Sequence, residues 1–129
     1  ICFNNVSRCV FSKAQFPSIL AKVGLFVYTL KKMEVLQYGM SPNKMYDYLA
    51  SAKPIVTSIE TKNNPVEEAN AGIAVEPENP EALAGALIEI SKLTEQERRE
   101  LGRNGRRYVE QFHNIKVLAK NLEYLLGFY

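Results

Sequence analysis

Aspartate occurs once in the 129 residues, at Asp47, and histidine once, at His113. A lone Asp rules out an Asp-x-Asp metal clamp. A lone His removes His-based zinc sites and speaks against a Ser-His-Asp triad. Cysteine is confined to Cys2 and Cys9, too few for a disulfide scaffold, and reduced thiols in a cytosolic protein are the default expectation. Neither sign of charge is in excess: 16 Lys+Arg against 14 Asp+Glu leave +2, too balanced for a protein that lives on nucleic-acid phosphates. The longest charge-free apolar stretch, Val23 to Leu30, is far below the ~18 residues of a membrane-spanning helix. The opening residues do not show the basic-then-apolar pattern of a secretory leader, so a cytoplasmic location is expected. What remains, at 47% hydrophobic and 23% charged, is enough for one core and too little for two. The chain opens at Ile1, without Met and inside an apolar run. We therefore expect a single N-terminally truncated domain over 1–129, cut from a larger protein.

Strands and helices alternate. Residues Ile1 to Val10 read as a β-rich segment broken at Asn4-Asn5. Ala14 to Lys22 looks helical, with Phe16, Ile19 and Leu20 on one side and Pro17 tolerated in the first turn. Gly24 to Tyr28 is an apolar run of strand length, as in a strand buried on both faces. A loop from Thr29 to Met40 leads to a helix for which Ser41 is the expected N-cap and Pro42 the first helical residue, ending near Ser51. Pro54 to Ser58 is the next strand. After a polar loop, Glu60 to Asn64, Asn64-Pro65 opens a short helix, and Gly72 to Val75 is a third buried strand. Asn79-Pro80 opens a helix with Leu83, Leu87 and Ile90 at helical spacing. Thr94 to Glu97 is a capping box ahead of Leu101, Gly105, Tyr108 and Phe112. Asn114 caps a last helix with Ile115, Leu118, Leu122 and Leu125. This order predicts an α/β layered domain on a parallel sheet with a helical C-terminus. Ligands of such folds bind beyond the carboxyl ends of the strands, which directs attention to the turns after Tyr28, Ser58 and Val75.

The helix after Met40 breaks local rules. Lys44, near the third helical position, puts its charge at the positive end of the helix dipole, at a cost of ~0.3–1 kcal/mol. A phosphate bound there would reverse the sign, because free N–H groups, dipole and ammonium would all favour it. Asp47 is a mediocre helix former placed mid-helix, on the same face as Lys44, while Met45 and Leu49 can face the core. The pattern suits a phosphate clamp with, one turn on, a carboxylate that accepts hydrogen bonds from ribose hydroxyls. The plain alternative is an i,i+3 surface pair worth ~0.2–0.5 kcal/mol.

The run Ser41-Pro42-Asn43-Lys44-Met45-Tyr46-Asp47-Tyr48-Leu49-Ala50-Ser51-Ala52-Lys53-Pro54-Ile55-Val56 resembles the signature of retaining glycosyltransferases of family four, in its S-P-x-K-x-x-E-Y-M-A-x-G-K-P-V-V form. The likeness continues through Val66-Glu67-Glu68-Ala69, Ala71-Gly72-Ile73, Pro77 to Ala84 and Gly105-Arg106, and is strongest to the amino-sugar transferases of bacterial surface-polysaccharide synthesis. The resemblance implies a GT-B enzyme, with two Rossmann-like domains facing a cleft. This chain would be the domain that binds the donor, a UDP- or GDP-sugar, and the acceptor domain would lie upstream of Ile1. It implies that Asp47 holds the donor ribose and that Lys44 lies near the diphosphate. The turn Gly39-Met40-Ser41, continuing to Asn43, would bring backbone amides to the phosphates and sugar. The amino end of the helix after Asn63-Asn64-Pro65-Val66 would face the donor as well. No metal and no cofactor are implied.

The chain departs from that pattern in several places. Asp47 stands where the family has the longer Glu. The first glutamate of the family's pair falls near Gly39, leaving Glu34 as the nearest upstream carboxylate. Ala52 replaces the Gly before Lys-Pro, at a helix end where a left-handed residue is often wanted, and Gly24 replaces an Asp at the strand start. A nucleotide-sugar epimerase on the same two-domain plan, and a degenerate domain that no longer binds donor, are the competing readings. A receiver-type interaction module is disfavoured by the sole Asp. Arg98, Arg99, Arg103, Arg106, Arg107, Lys116 and Lys120 make the C-terminal helices basic. Interleaved Glu97, Glu100, Glu110 and Glu123 favour a solvated face, the functional alternative being contact with the inner-membrane surface. His113 reads as a helix-end residue, Glu67 and Glu68 as acids suited to a first turn, and Lys13 and Lys53 as ordinary surface.

Overall fold

The computed structural model describes residues 10–127. The expected amino-terminal β-rich segment, apart from Val10, and both cysteines lie outside the described residues.

Three strands, β1 (Phe26–Thr29), β2 (Ile55–Ser58) and β3 (Gly72–Val75), form a parallel sheet in the order β1-β2-β3. Phe26 pairs with Ile55, and Ile55 with Gly72. The central strand is wholly buried, and its alternating side chains serve two cores, as the period of two requires. On one face Ile55 packs with Phe26, Met45, Leu49, Val66 and Ala71; on the other Val56 packs with Ala86 and Ile90. Helices therefore cover both faces, an α/β arrangement compatible with a Rossmann-like fold. The first core is built by α2 (Asn43–Ala50), α3 (Pro65–Glu68) and α5 (Glu95–Phe112), the second by α4 (Pro80–Lys92). Helix α1 (Phe16–Lys22) precedes the sheet and α6 (Ile115–Leu125) follows it.

Caps explain where most helices begin. The side chains of Asn64, Asn79 and Asn114 accept from the second or third backbone N–H of α3, α4 and α6, and Thr94 with Glu97 completes a reciprocal capping box on α5. Helix α2 departs from expectation. Pro42, with ψ at 124°, occupies the N-cap itself, so Ser41 is not the cap, and the first helical residue is Asn43. The Ser41 hydroxyl instead donates to Tyr46 Oη at 3.4 Å.

Two more differences concern the route into α2 and its packing. The segment from Thr29 to Met40 is not all loop: Glu34–Tyr38 forms a 3-10 helix held down by buried Leu36. Helix α5 meets α2 through Gly102 and Gly105, both buried. A Cβ at Gly102 would lie 2.1 Å from the Ala52 carbonyl oxygen, and one at Gly105 would lie 2.9 Å from Leu49 Cδ2. Arg106 Nη1 donates to the Ala50 carbonyl at 2.9 Å, closing the end of α2 where a cation also suits the dipole. The α6 stripe, in contrast, stays uncovered among the described residues, with Ile115 and Leu125 77% and 79% exposed.

Candidate functional site

The parallel order places the amino end of α2, which follows β1, at the carboxyl edge of the sheet. Asn43 and Lys44 are its first two residues, and their N–H groups have no acceptor among the described residues. Lys44 and Asp47 are both exposed, and neither side chain takes part in an ion pair or hydrogen bond among the described residues. The plain alternative, a Lys44–Asp47 surface pair, is therefore not formed. Met45 and Leu49 are fully buried on the opposite side of α2, which fixes the helix's rotation and keeps Lys44 and Asp47 toward solvent.

The turn before α2 is held from across the sheet. Gly39 has φ +107°, and its N–H donates to the Leu36 carbonyl at 3.0 Å. The Met40 N–H donates to Asn63 Oδ1 at 2.8 Å, and Asn63 Nδ2 donates back to the Met40 carbonyl at 3.2 Å. Thr61 Oγ1 donates to the Leu36 carbonyl at 2.9 Å. The Gly39 and Met40 amides are thus engaged internally. Of the residues that the sequence assigned to donor binding, Asn43 and Lys44 are the ones left with helix-terminal amides for an anion.

Beside this turn lies a cavity of about 620 Å³ lined by Lys32, Met33, Glu34, Gln37, Glu60, Thr61 and Lys62. Its walls come from the segments that follow β1 and β2. A second depression of about 410 Å³ follows the ends of β2 and β3, where Glu67 and Glu76 join its lining. Lys32 Nζ and Glu60 form an ion pair at 2.8 Å, and that carboxylate raises the Lys32 pKa above its ordinary value. Glu34 lines the larger cavity, whereas Ser41, Asn43, Lys44 and Asp47 do not. The sequence does not single out Gln37, Thr61 and Lys62, and it places Asn63 in the loop that opens α3, without a bond to Met40. No periodicity marks Thr61 and Asn63, because their bonds to Leu36 and Met40 span 25 and 23 positions of chain.

Several of the remaining candidates have structural partners. His113 terminates α5, and its ring lies 4.2 Å from that of Tyr46 and 5.2 Å from that of Tyr108. The Tyr108 hydroxyl donates to Glu68, and burial followed by this contact raises the Tyr108 pKa. Glu67 and Glu68 lie in the first turn of α3. Arg99, Arg103, Arg106 and Arg107 are ion-paired to Glu95, Glu100, Glu110 and Glu100 on the exposed face of α5. Among the described residues, no group of three or more His, Cys, Asp or Glu is placed to hold a metal ion, and no helix is long and apolar enough to cross a membrane.

No family model matches the chain, and neither a curated protein nor a solved structure matches it significantly.

Proposed function

We propose that the chain binds a nucleoside-diphosphate sugar, UDP- or GDP-linked, as the donor-binding part of a retaining glycosyltransferase. The acceptor would be a polysaccharide or lipid-linked glycan of the cell surface, held by a further domain. One observation carries this reading: the uncapped amino end of α2 offers two free amides and an unpaired Lys44, with unpaired Asp47 one turn on. The diphosphate would accept from the Asn43 and Lys44 N–H groups and from the ammonium, and Asp47 would accept from the ribose hydroxyls. The cavity lined by Glu34, Gln37 and Lys62, at about 620 Å³, would leave ample room for the sugar. As the glycosidic bond to the donor breaks, negative charge grows on the departing diphosphate. Preorganised amides and Lys44 stabilise that charge without reorganising.

Titrating the full-length protein with UDP and GDP tests the binding step, and selective affinity for one of them is expected. Lys44→Ala should lower turnover at least about tenfold, since charge-assisted hydrogen bonds are worth ~1.5–3 kcal/mol. Unchanged kinetics would remove Lys44 from the site, and an epimerised donor formed without acceptor would replace the transferase reading by the epimerase one.

A further inference from the structure

We infer that Asn63 is a positioning residue that ties the wall of the 620 Å³ cavity to the turn opening α2, and so sets where the diphosphate end of a ligand is held. The inference rests on the donor-site reading above. A carboxamide presents a donor and an acceptor side by side, so one Asn63 side chain satisfies both the N–H and the C=O of Met40, as a neighbouring strand would. The fit is interlocked. A Cβ at residue 39 would lie 2.8 Å from Asn63 Oδ1, so only glycine there leaves the carboxamide in place. Glu60, Thr61 and Lys62, the residues just before Asn63, line the cavity, and Thr61 and Glu60 add bonds to Leu36 and Lys32 on the opposite segment. Asn63 itself does not touch the predicted anion. It acts through Met40, three residues ahead of the free amide of Asn43.

The test compares Asn63→Ala with wild type in the full-length protein, using ligand-observed NMR titrations of UDP, GDP, uridine and guanosine. The expected result is a loss of diphosphate affinity of about tenfold or more, because one misplaced charge-assisted hydrogen bond accounts for a factor of that size. Affinity for the matching nucleoside should stay within about twofold, since Asp47, one turn further along α2, is held in place by the buried Met45 and Leu49 and not by the turn. A merely structural role would weaken both ligands together. Wild-type protein that binds neither nucleotide refutes the donor-site reading itself. Wild type that binds, together with an unchanged diphosphate-to-nucleoside ratio in Asn63→Ala, refutes the Asn63 role alone. Should Asn63→Ala fail to fold, hydrogen exchange in wild type decides: the Met40 amide should be protected and should slow further with saturating UDP or GDP, and no response to the bound nucleotide overturns the proposal.

Discussion

Two glycines inside helices should respond to the same substitution with opposite signs. Replacing Gly by Ala in a helix interior gains ~1 kcal/mol from backbone entropy and solvation alone. At Gly85, in α4, an added Cβ meets nothing within 4 Å, so Gly85→Ala should be more stable by ~0.5–1 kcal/mol. At Gly102, in α5, the same Cβ would lie 2.1 Å from the Ala52 carbonyl oxygen and 2.9 Å from the Lys53 nitrogen. Backbone atoms cannot swing aside as a side-chain tip does, and favourable contacts lie nearer ~3.5 Å. Helix α5 must therefore retreat from the end of α2 by about an ångström or more, which loosens Gly105 against Leu49 and stretches the 2.9 Å bond from Arg106 to the Ala50 carbonyl. Overpacking of this kind costs ~1–3 kcal/mol. The lost bond adds ~0.5–1.5 kcal/mol, and the helix-propensity gain offsets ~1 kcal/mol. The net effect is a loss of ~0.5–3.5 kcal/mol. Urea unfolding monitored by far-UV circular dichroism would measure both variants against wild type. The midpoint should rise for Gly85→Ala and fall for Gly102→Ala with m unchanged. A Gly102→Ala protein as stable as wild type would show that α5 does not rest on the α2 terminus as described.

Ala52 adopts φ +54° just past the end of α2, a conformation that costs a non-glycine residue ~1–2 kcal/mol. Ala52→Gly should stabilise by ~0.5–1 kcal/mol once the unfolded chain's added freedom is offset, raising the thermal midpoint by a few degrees; no increase would refute the strain. Burial, followed by its bond to Glu68, raises the Tyr108 pKa, so the folded state favours the neutral phenol. That preference leaves stability unaffected below about pH 10, the ordinary tyrosine value, and reduces it as pH rises further, because the unfolded phenol ionises first. Denaturant midpoints measured across that range should fall less steeply for Tyr108→Phe than for wild type, and equal slopes would refute the assignment.

Much of the architecture is legible in the chain because its punctuation is chemical. Asn64-Pro65, Asn79-Pro80, Thr94 with Glu97, and Asn114 each name a helix start from the groups that must satisfy free N–H donors, and all four helices begin there. The strand Gly72–Val75 has the bounds read from its apolar run, although it is half-buried at the sheet edge and not buried as expected. What escaped has equally physical reasons. Glycine carries no hydropathy, so Gly102 gave no sign that it is the contact point between α5 and α2. The 3-10 helix at Glu34–Tyr38 buries a single side chain, Leu36, too little to make a period. Ser41 ahead of Pro42 has the residue types of a cap, yet the extended backbone of Pro42 takes the N-cap position for itself. For the site, the sequence identified Lys44 and Asp47 as one exposed face. It did not show that Asn63 would engage the Met40 amide, since a side-chain bond spanning 23 residues leaves no local trace.

The four helices from α3 to α6 open on side chains that accept from their first turn, and α3, α4 and α5 also carry acids there. Helix α2 opens on a proline with nothing to accept, places a lysine where an acid would be favoured, and exposes an unpaired aspartate mid-helix. Together these choices forgo a cap worth ~0.5–2 kcal/mol and a dipole contribution of ~0.3–1 kcal/mol. Nothing in the packing needs them, because Met45 and Leu49 face the core from the other side of the helix. A bound diphosphate would restore both contributions at once, supplying the missing acceptor and turning the lysine from a liability into a ligand. Departures from local rules that have no structural compensation are where functional sites are expected. The amino end of α2 combines three of them, beside a cavity at the carboxyl edge of a parallel sheet.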